Sequence, residues 1–209
     1  IELKPDAADA YFNMANILGN YGKMDEAIDA YKTAVRIKPD FADAYYNLGN
    51  VFYQNNKFDE AVKSFRRAIN LNPDNAAAYN NLGLIYAKRK KLKEAIRFYK
   101  NAISVDPKYP EAFNNMGIVL KEQSQMKKAV QFYKKAITLN PKYTEAYYNL
   151  GIIYQEQQNC DYALKAYKTA LEINPKFLEA WLNGAETLEK WNRIDHLKTW
   201  LDKAFNAFK

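Results

Sequence analysis

The sequence predicts an all-α protein built from stacked helix pairs, and three observations carry that prediction. Six of the seven prolines, Pro5, Pro39, Pro73, Pro107, Pro141 and Pro175, are each 34 residues from the next, with only Pro110 outside the series. Gly49, Gly83, Gly117 and Gly151 keep the same interval, as do Ala27, Ala61, Ala95, Ala129 and Ala163. Between these markers the apolar residues recur at helical spacing. A fixed interval of this size means an array of similar units, each unable to bury its apolar face without its neighbours.

The elements follow in order within one interval. Tyr45, Leu48, Gly49 and Phe52 lie at i, i+3, i+4 and i+7, which places them on one face of a first helix. Asn55 and Asn56 make the turn. Phe58, Ala61, Val62, Phe65, Ala68 and Ile69 then restore the spacing for a second helix. Pro73 stops it, because proline lacks the N–H and disfavours helical geometry in the residue before it. The expectation is two helices of about 13 residues per unit, neither stable alone. Gly49 and Ala61 are expected to remove bulk where two helix backbones approach, with aromatics filling the space around them. On that reading Tyr11, Tyr31, Tyr45, Tyr79, Tyr86, Tyr99, Tyr133, Tyr147, Tyr154 and Tyr167 are packing residues.

Full units are expected over residues 8–41, 42–75, 76–109, 110–143 and 144–177. Residues 1–7 read as the tail of a preceding unit, since Ile1 to Asp6 matches Val35 to Asp40, and the chain is expected to be a piece of a longer one. Residues 178–209 depart from the pattern. Trp181 and Ala204 fit, but Leu197 replaces the small alanine and no proline ends the last helix, as expected of a capping pair.

The interval of 34, the helix–turn–helix unit, the large-x-x-Leu-Gly-x-x-Tyr first helix and the Ala, aromatic, Ala and Pro that follow resemble the tetratricopeptide repeat over essentially the whole chain. The resemblance implies a right-handed superhelical solenoid of antiparallel helix pairs, five full units and a divergent C-terminal capping unit. It also implies that the first helices line a concave surface.

Composition removes several function classes. Of 209 residues, 48% are hydrophobic and 26% charged, which suits a folded chain and not a disordered one. No apolar run approaches the length of a membrane span, and Ile1 to Pro5 has no signal-like character. The single Cys160 excludes an intrachain disulfide and points toward a reducing compartment, cytoplasmic or nuclear. Cys160 stands in an apolar column with Met24, Phe58, Leu92, Met126 and Ile194, so a buried structural thiol is expected. His196 aligns with Glu26, Glu60 and Glu94 and reads as a solvated helix residue. With one Cys, one His and no phosphate-cradling loop, no catalytic residue, metal site or cofactor is expected.

The informative column is Asn13, Asn47, Asn81, Asn115, Asn149 and Asn183, one asparagine per unit. Asparagine is a mediocre helix former, and its place is away from the Tyr45, Leu48 and Phe52 stripe. An amide both donates and accepts, so it can bridge to an extended peptide backbone. The regular ladder resembles that of the tetratricopeptide arms of protein O-linked N-acetylglucosamine transferases. Peptide-contacting residues are therefore expected to be this ladder together with Asn16, Asn50, Tyr46 and Tyr148. Three neighbouring columns would edge and floor a groove. They are Asp9, Asp43, Ala77, Glu111, Glu145 and Glu179; Asn16, Asn50, Leu84, Ile118, Ile152 and Glu186; and Phe12, Tyr46, Asn80, Asn114, Tyr148 and Leu182. Lysine and arginine are missing from the positions that a carboxylate clamp of this family would need, so capture of an acidic C-terminus is disfavoured.

The net charge of +7 is uneven. Residues 76–109 carry eight basic and two acidic side chains, and residues 110–143 carry six and two, while the remaining segments are near neutral or slightly acidic. The basic run reads as a solvated second-helix face, with an acidic partner or nucleic acid as the other use. The sequence thus points to a non-catalytic protein–protein interaction scaffold that takes an extended peptide or protein segment. The alternative is the substrate-recruiting arm of a glycosyltransferase whose catalytic part lies elsewhere. Nucleic-acid binding through residues 88–135 ranks last, because the basic side chains are not interleaved with exposed aromatics.

Overall fold

A computed structural model describes residues 5–208. It contains twelve α-helices: α1 Pro5–Asn20, α2 Met24–Ile37, α3 Ala42–Gln54, α4 Phe58–Leu71, α5 Ala76–Lys88, α6 Leu92–Val105, α7 Pro110–Glu122, α8 Met126–Leu139, α9 Thr144–Glu156, α10 Cys160–Ile173, α11 Leu178–Lys190 and α12 Ile194–Ala207. No strand occurs among the described residues. The protein is an all-α helical-repeat solenoid whose helices pair as the 34-residue interval requires. Residues 1–4 of the expected preceding tail lie outside the described residues, and Pro5 opens α1.

The chain divides into two compact halves, residues 1–107 with α1–α6 and residues 108–209 with α7–α12. In each half the first and second helix of a pair pack together, and each second helix meets the first helix of the next pair.

The turn inside each pair is set by one residue in the left-handed region. Gly22, Asn56, Lys90, Ser124, Gln158 and Asn192 all have φ between 54° and 74°, at the repeat interval. Around Lys90 the Lys91 N–H donates to the Tyr86 carbonyl at 2.9 Å and the Lys90 N–H to the Ala87 carbonyl at 2.8 Å. These two bonds satisfy carbonyls that the end of α5 would otherwise leave unpaired.

The glycine column works differently from the expectation that two backbones approach there. Each glycine makes room for a ring from the second helix of its own pair. A Cβ built on Gly49 would lie 2.6 Å from Phe65 Cε1, and one on Gly117 would lie 2.5 Å from Tyr133 Cε1. Gly83 and Gly151 take Tyr99 and Tyr167 in the same way. Phe65, Tyr99, Tyr133 and Tyr167 are buried as a result, as is Tyr31 in the first pair, where Ala15 stands in the glycine column. Tyr45, Tyr79, Tyr86, Tyr147 and Tyr154 are half-buried. Tyr11 departs from the packing expectation at 37% exposed, because the face of α1 that carries it also leaves Met14 and Ile17 exposed.

The last pair shifts this contact by one residue. The interval calls for residues 185 and 201, but Gly184 receives the ring and Trp200 supplies it. The indole N–H of Trp200 donates to the Trp181 carbonyl at 2.8 Å, and the two indoles meet edge to face at 5.1 Å. One residue is about 100° of rotation on a helix. Leu201 is therefore turned outward, and α12 contains no buried residue.

Candidate functional site

In the first half the asparagines of α1, α3 and α5 form hydrogen-bonded pairs between consecutive first helices. Asn47 Nδ2 donates to Asn16 Oδ1 at 2.9 Å, and Asn81 Nδ2 donates to Asn50 Oδ1 at 2.8 Å. The Tyr31 hydroxyl also donates to Asn16 Oδ1, at 2.5 Å. Burial pushes the Tyr31 phenol up, opposed by its hydrogen bond with Asn47. Beside these residues is an open hollow of about 320 Å³, lined by Asn16, Asn20, Tyr31, Asn47, Asn50 and Gln54 and carrying no charged side chain. Asn13 is exposed on the preceding turn of α1. Tyr46 is half-buried, with its ring 5.9 Å from that of Phe65.

In the second half the acceptors change but the strut remains. Asn149 Nδ2 donates to Asn114 Oδ1 at 2.9 Å, and Asn183 Nδ2 donates to the Tyr148 hydroxyl at 3.2 Å. The reason is readable in the columns. Asn16 and Asn50 occupy the position that Ile118 and Ile152 occupy here, and an isoleucine cannot accept. The acceptor is then supplied one turn earlier, by Asn114 and Tyr148. Asn115 is half-buried on α7.

The column containing Phe12, Tyr46, Asn80, Asn114, Tyr148 and Leu182 does not floor a groove as expected. Asn80 and Asn114 are buried, and only Leu182 is exposed. The column turns toward the loops that join consecutive pairs: Phe12 packs on Phe41 at 4.8 Å and Tyr148 on Phe177 at 5.1 Å. At the equivalent place Asn114 hydrogen-bonds Tyr143, whose phenol is otherwise pushed up by burial and by Glu111, Glu145 and Tyr109. In the acidic column Asp9, Asp43, Glu145 and Glu179 are exposed and Glu111 is half-buried.

Gln155, which the columns did not single out, joins the polar framework through Tyr167, one of the tyrosines expected to pack. The Tyr167 hydroxyl donates to Gln155 Oε1 at 2.6 Å. Tyr133, at the same place in the fourth pair, has a buried hydroxyl with no hydrogen-bond partner among the described residues. Its neighbours explain why, since the positions of Asn16 and Gln155 are Ile118 and Lys121 in that pair, and Lys121 pairs with Glu156 at 3.0 Å.

On the second helices, acids at the first turn reach the cation of the next turn. Asp25 pairs with Lys57 at 3.2 Å, Asp59 with Arg89 at 2.7 Å and Asp161 with Arg193 at 2.7 Å. The same position holds Lys93 and Lys127 in the third and fourth pairs, which is where the excess positive charge collects. Cys160 is buried, and burial raises its thiol pKa against the opposing pull of Arg193. Among the described residues no group of three or more His, Cys, Asp or Glu side chains is placed to hold a metal ion, and no helix is long and apolar enough to cross a membrane.

Two family profiles match the chain. One described as TPR repeat covers residues 20–56, 49–90, 83–124 and 119–158, and one described as tetratricopeptide repeat covers residues 144–177. No curated protein matches the chain significantly. Among solved structures, MamA is 27% identical over 78% of this chain and 95% of its own, with a TM-score of 0.68. YrrB, described as a TPR protein with an unusual peptide-binding site, is 26% identical over 81% of this chain and 88% of its own, with a TM-score of 0.63. PilF of Pseudomonas aeruginosa is 21% identical over 93% of this chain and 89% of its own, with a TM-score of 0.81, a likeness of fold alone.

Proposed function

The chain belongs to the tetratricopeptide-repeat family, and on that premise we propose that it is a non-catalytic scaffold holding an extended peptide segment against the asparagine face of its first helices. The observation that carries this reading is the amide-lined hollow beside Asn16, Asn47 and Asn50. A side-chain amide offers two hydrogens and an acceptor oxygen. The strut to the neighbouring pair uses one hydrogen of Asn47 and Asn81. It also fixes the amide planes before any ligand arrives, which lowers the ordering cost of binding. The likeness to YrrB, whose description names a peptide-binding site, supports the same class of ligand.

With no charged side chain in that hollow, the ligand is recognised through backbone and uncharged polar groups, not through a terminal carboxylate. A peptide array read with the labelled protein tests this. Bound peptides should lose about two- to tenfold in affinity when Asn47 is changed to Ala. Amidating their C-termini should leave affinity unchanged. An array without binders, or binders indifferent to changes at Asn47, Asn81 and Asn115, would remove the proposal.

A further inference from the structure

We propose that the groove between α10 and α12 is a second docking site, separate from the asparagine face, for an acidic segment carrying two large apolar side chains. The groove lies beside the one-residue shift in the last pair. Earlier second helices present their apolar column to the core, whereas α12 is turned by about 100° and presents Trp200. The result is an underfilled space between second helices.

A hollow of about 460 Å³ has Leu164, Leu188 and Trp200 as its apolar floor and Lys165, Lys168 and Lys203 on its rim. This lies within the usual size range of side-chain and ligand pockets. A second hollow of about 340 Å³ is also lined by Trp200, adds Leu171, Trp181 and Glu172, and shares Lys168 and Lys203. One indole therefore lines two apolar recesses that have two cations in common.

Charge selects the occupant. Three lysines line the larger hollow against one acid, Asp195, and Glu172 lines the smaller hollow with Lys168 and Lys203. Lys165 and Lys203 have no ion-pair partner among the described residues, and Lys168 meets Glu172 only at 3.8 Å with both side chains largely exposed. Such a pair holds the lysine weakly and yields to a better acceptor. Two recesses side by side take two apolar anchors of one chain, and the shared lysines lie where carboxylates between those anchors would fall. A helical segment with anchors three or four residues apart has that layout.

All three tryptophans, Trp181, Trp191 and Trp200, are in the last helix pair, so selectively excited tryptophan emission reports on this region alone. The probe is a fluorescein-labelled peptide of repeated Leu-Glu-Glu-Leu units, with a Leu-Lys-Lys-Leu counterpart. The acidic peptide should bind the full chain and shift tryptophan emission. The double variant Lys168→Glu and Lys203→Glu should weaken it about tenfold and reverse the preference between the two peptides. Asn47→Ala should not alter it, which separates this site from the asparagine face. Circular dichroism of the double variant should match the parent, since both lysines are exposed. Three results would overturn the proposal: affinity indifferent to the charge reversals, a short-chain fatty acid that binds as tightly as the peptide, or an emission shift that follows protein concentration without peptide because a second copy fills the groove.

Discussion

Asn149 on α9 donates its amide hydrogen to the buried Oδ1 of Asn114 on α7, 2.9 Å away. A member of the asparagine ladder is thus also a strut between consecutive helix pairs. The strut and the proposed binding role share this column, and the two have to be measured separately.

Changing Asn149 to Ala removes that hydrogen bond and leaves the buried amide oxygen of Asn114 with one partner fewer. The expected loss is about 1 to 3 kcal/mol of unfolding free energy. Asn13 is exposed, so its change to Ala should stay within about 0.5 kcal/mol. Urea titration of the two variants compares them directly, and coincident midpoints would mean that the strut contributes nothing.

The glycine column predicts a contrast within one residue type. Gly49→Ala places a methyl 2.6 Å from the Phe65 ring and should destabilise by about 1 to 3 kcal/mol through overpacking. Gly19, also helical, has nothing within 4 Å of an added Cβ, and Gly19→Ala should stabilise by about 0.5 to 1 kcal/mol. Thermal unfolding of both settles the matter, since equal shifts would mean that the ring does not fill the space at Gly49.

Tyr133 and Tyr167 are buried at equivalent places, but only Tyr167 has a hydrogen-bond acceptor, Gln155. Tyr167→Phe should cost about 0.5 to 1.5 kcal/mol, whereas Tyr133→Phe should be neutral or stabilising, because it removes a buried polar group that has no partner. Denaturant midpoints for the pair of variants provide the check; a larger loss at Tyr133 would contradict the local arrangement.

Alkaline pH should unfold the protein through the same residues. Burial raises the phenols of Tyr31, Tyr133, Tyr148 and Tyr167 above their ordinary value of 10.0. Above pH 10.0 the unfolded chain releases these protons and the folded chain retains them. The stability each contributes is therefore whole below pH 10.0 and is lost as pH rises from there through the folded-state value. Melting temperature measured across that range should fall steeply, and Tyr133→Phe should make the fall shallower.

The interval of 34 residues determined most of the architecture by itself. Six prolines, four glycines and the helical spacing between them are local signals, and local signals survive in a one-dimensional reading. The helix–turn–helix unit, the turn at Asn55 and Asn56 and the burial of Cys160 were all legible there. Which of two adjacent polar columns lines an open hollow was not. Asn114 and Asn47 look alike in sequence, but one is buried against Asn149 and Tyr143 and the other lines an open hollow. The difference depends on whether an isoleucine or an asparagine stands on the neighbouring pair, and that is a distance in space. The same holds at the end of the chain. Gly184 and Trp200 each miss the interval by one residue, and only their meeting across two helices shows that α12 has turned and left a groove beside α10. Sequence periodicity specifies which residues share a helix face. The direction in which that face points is decided by the side chains it meets.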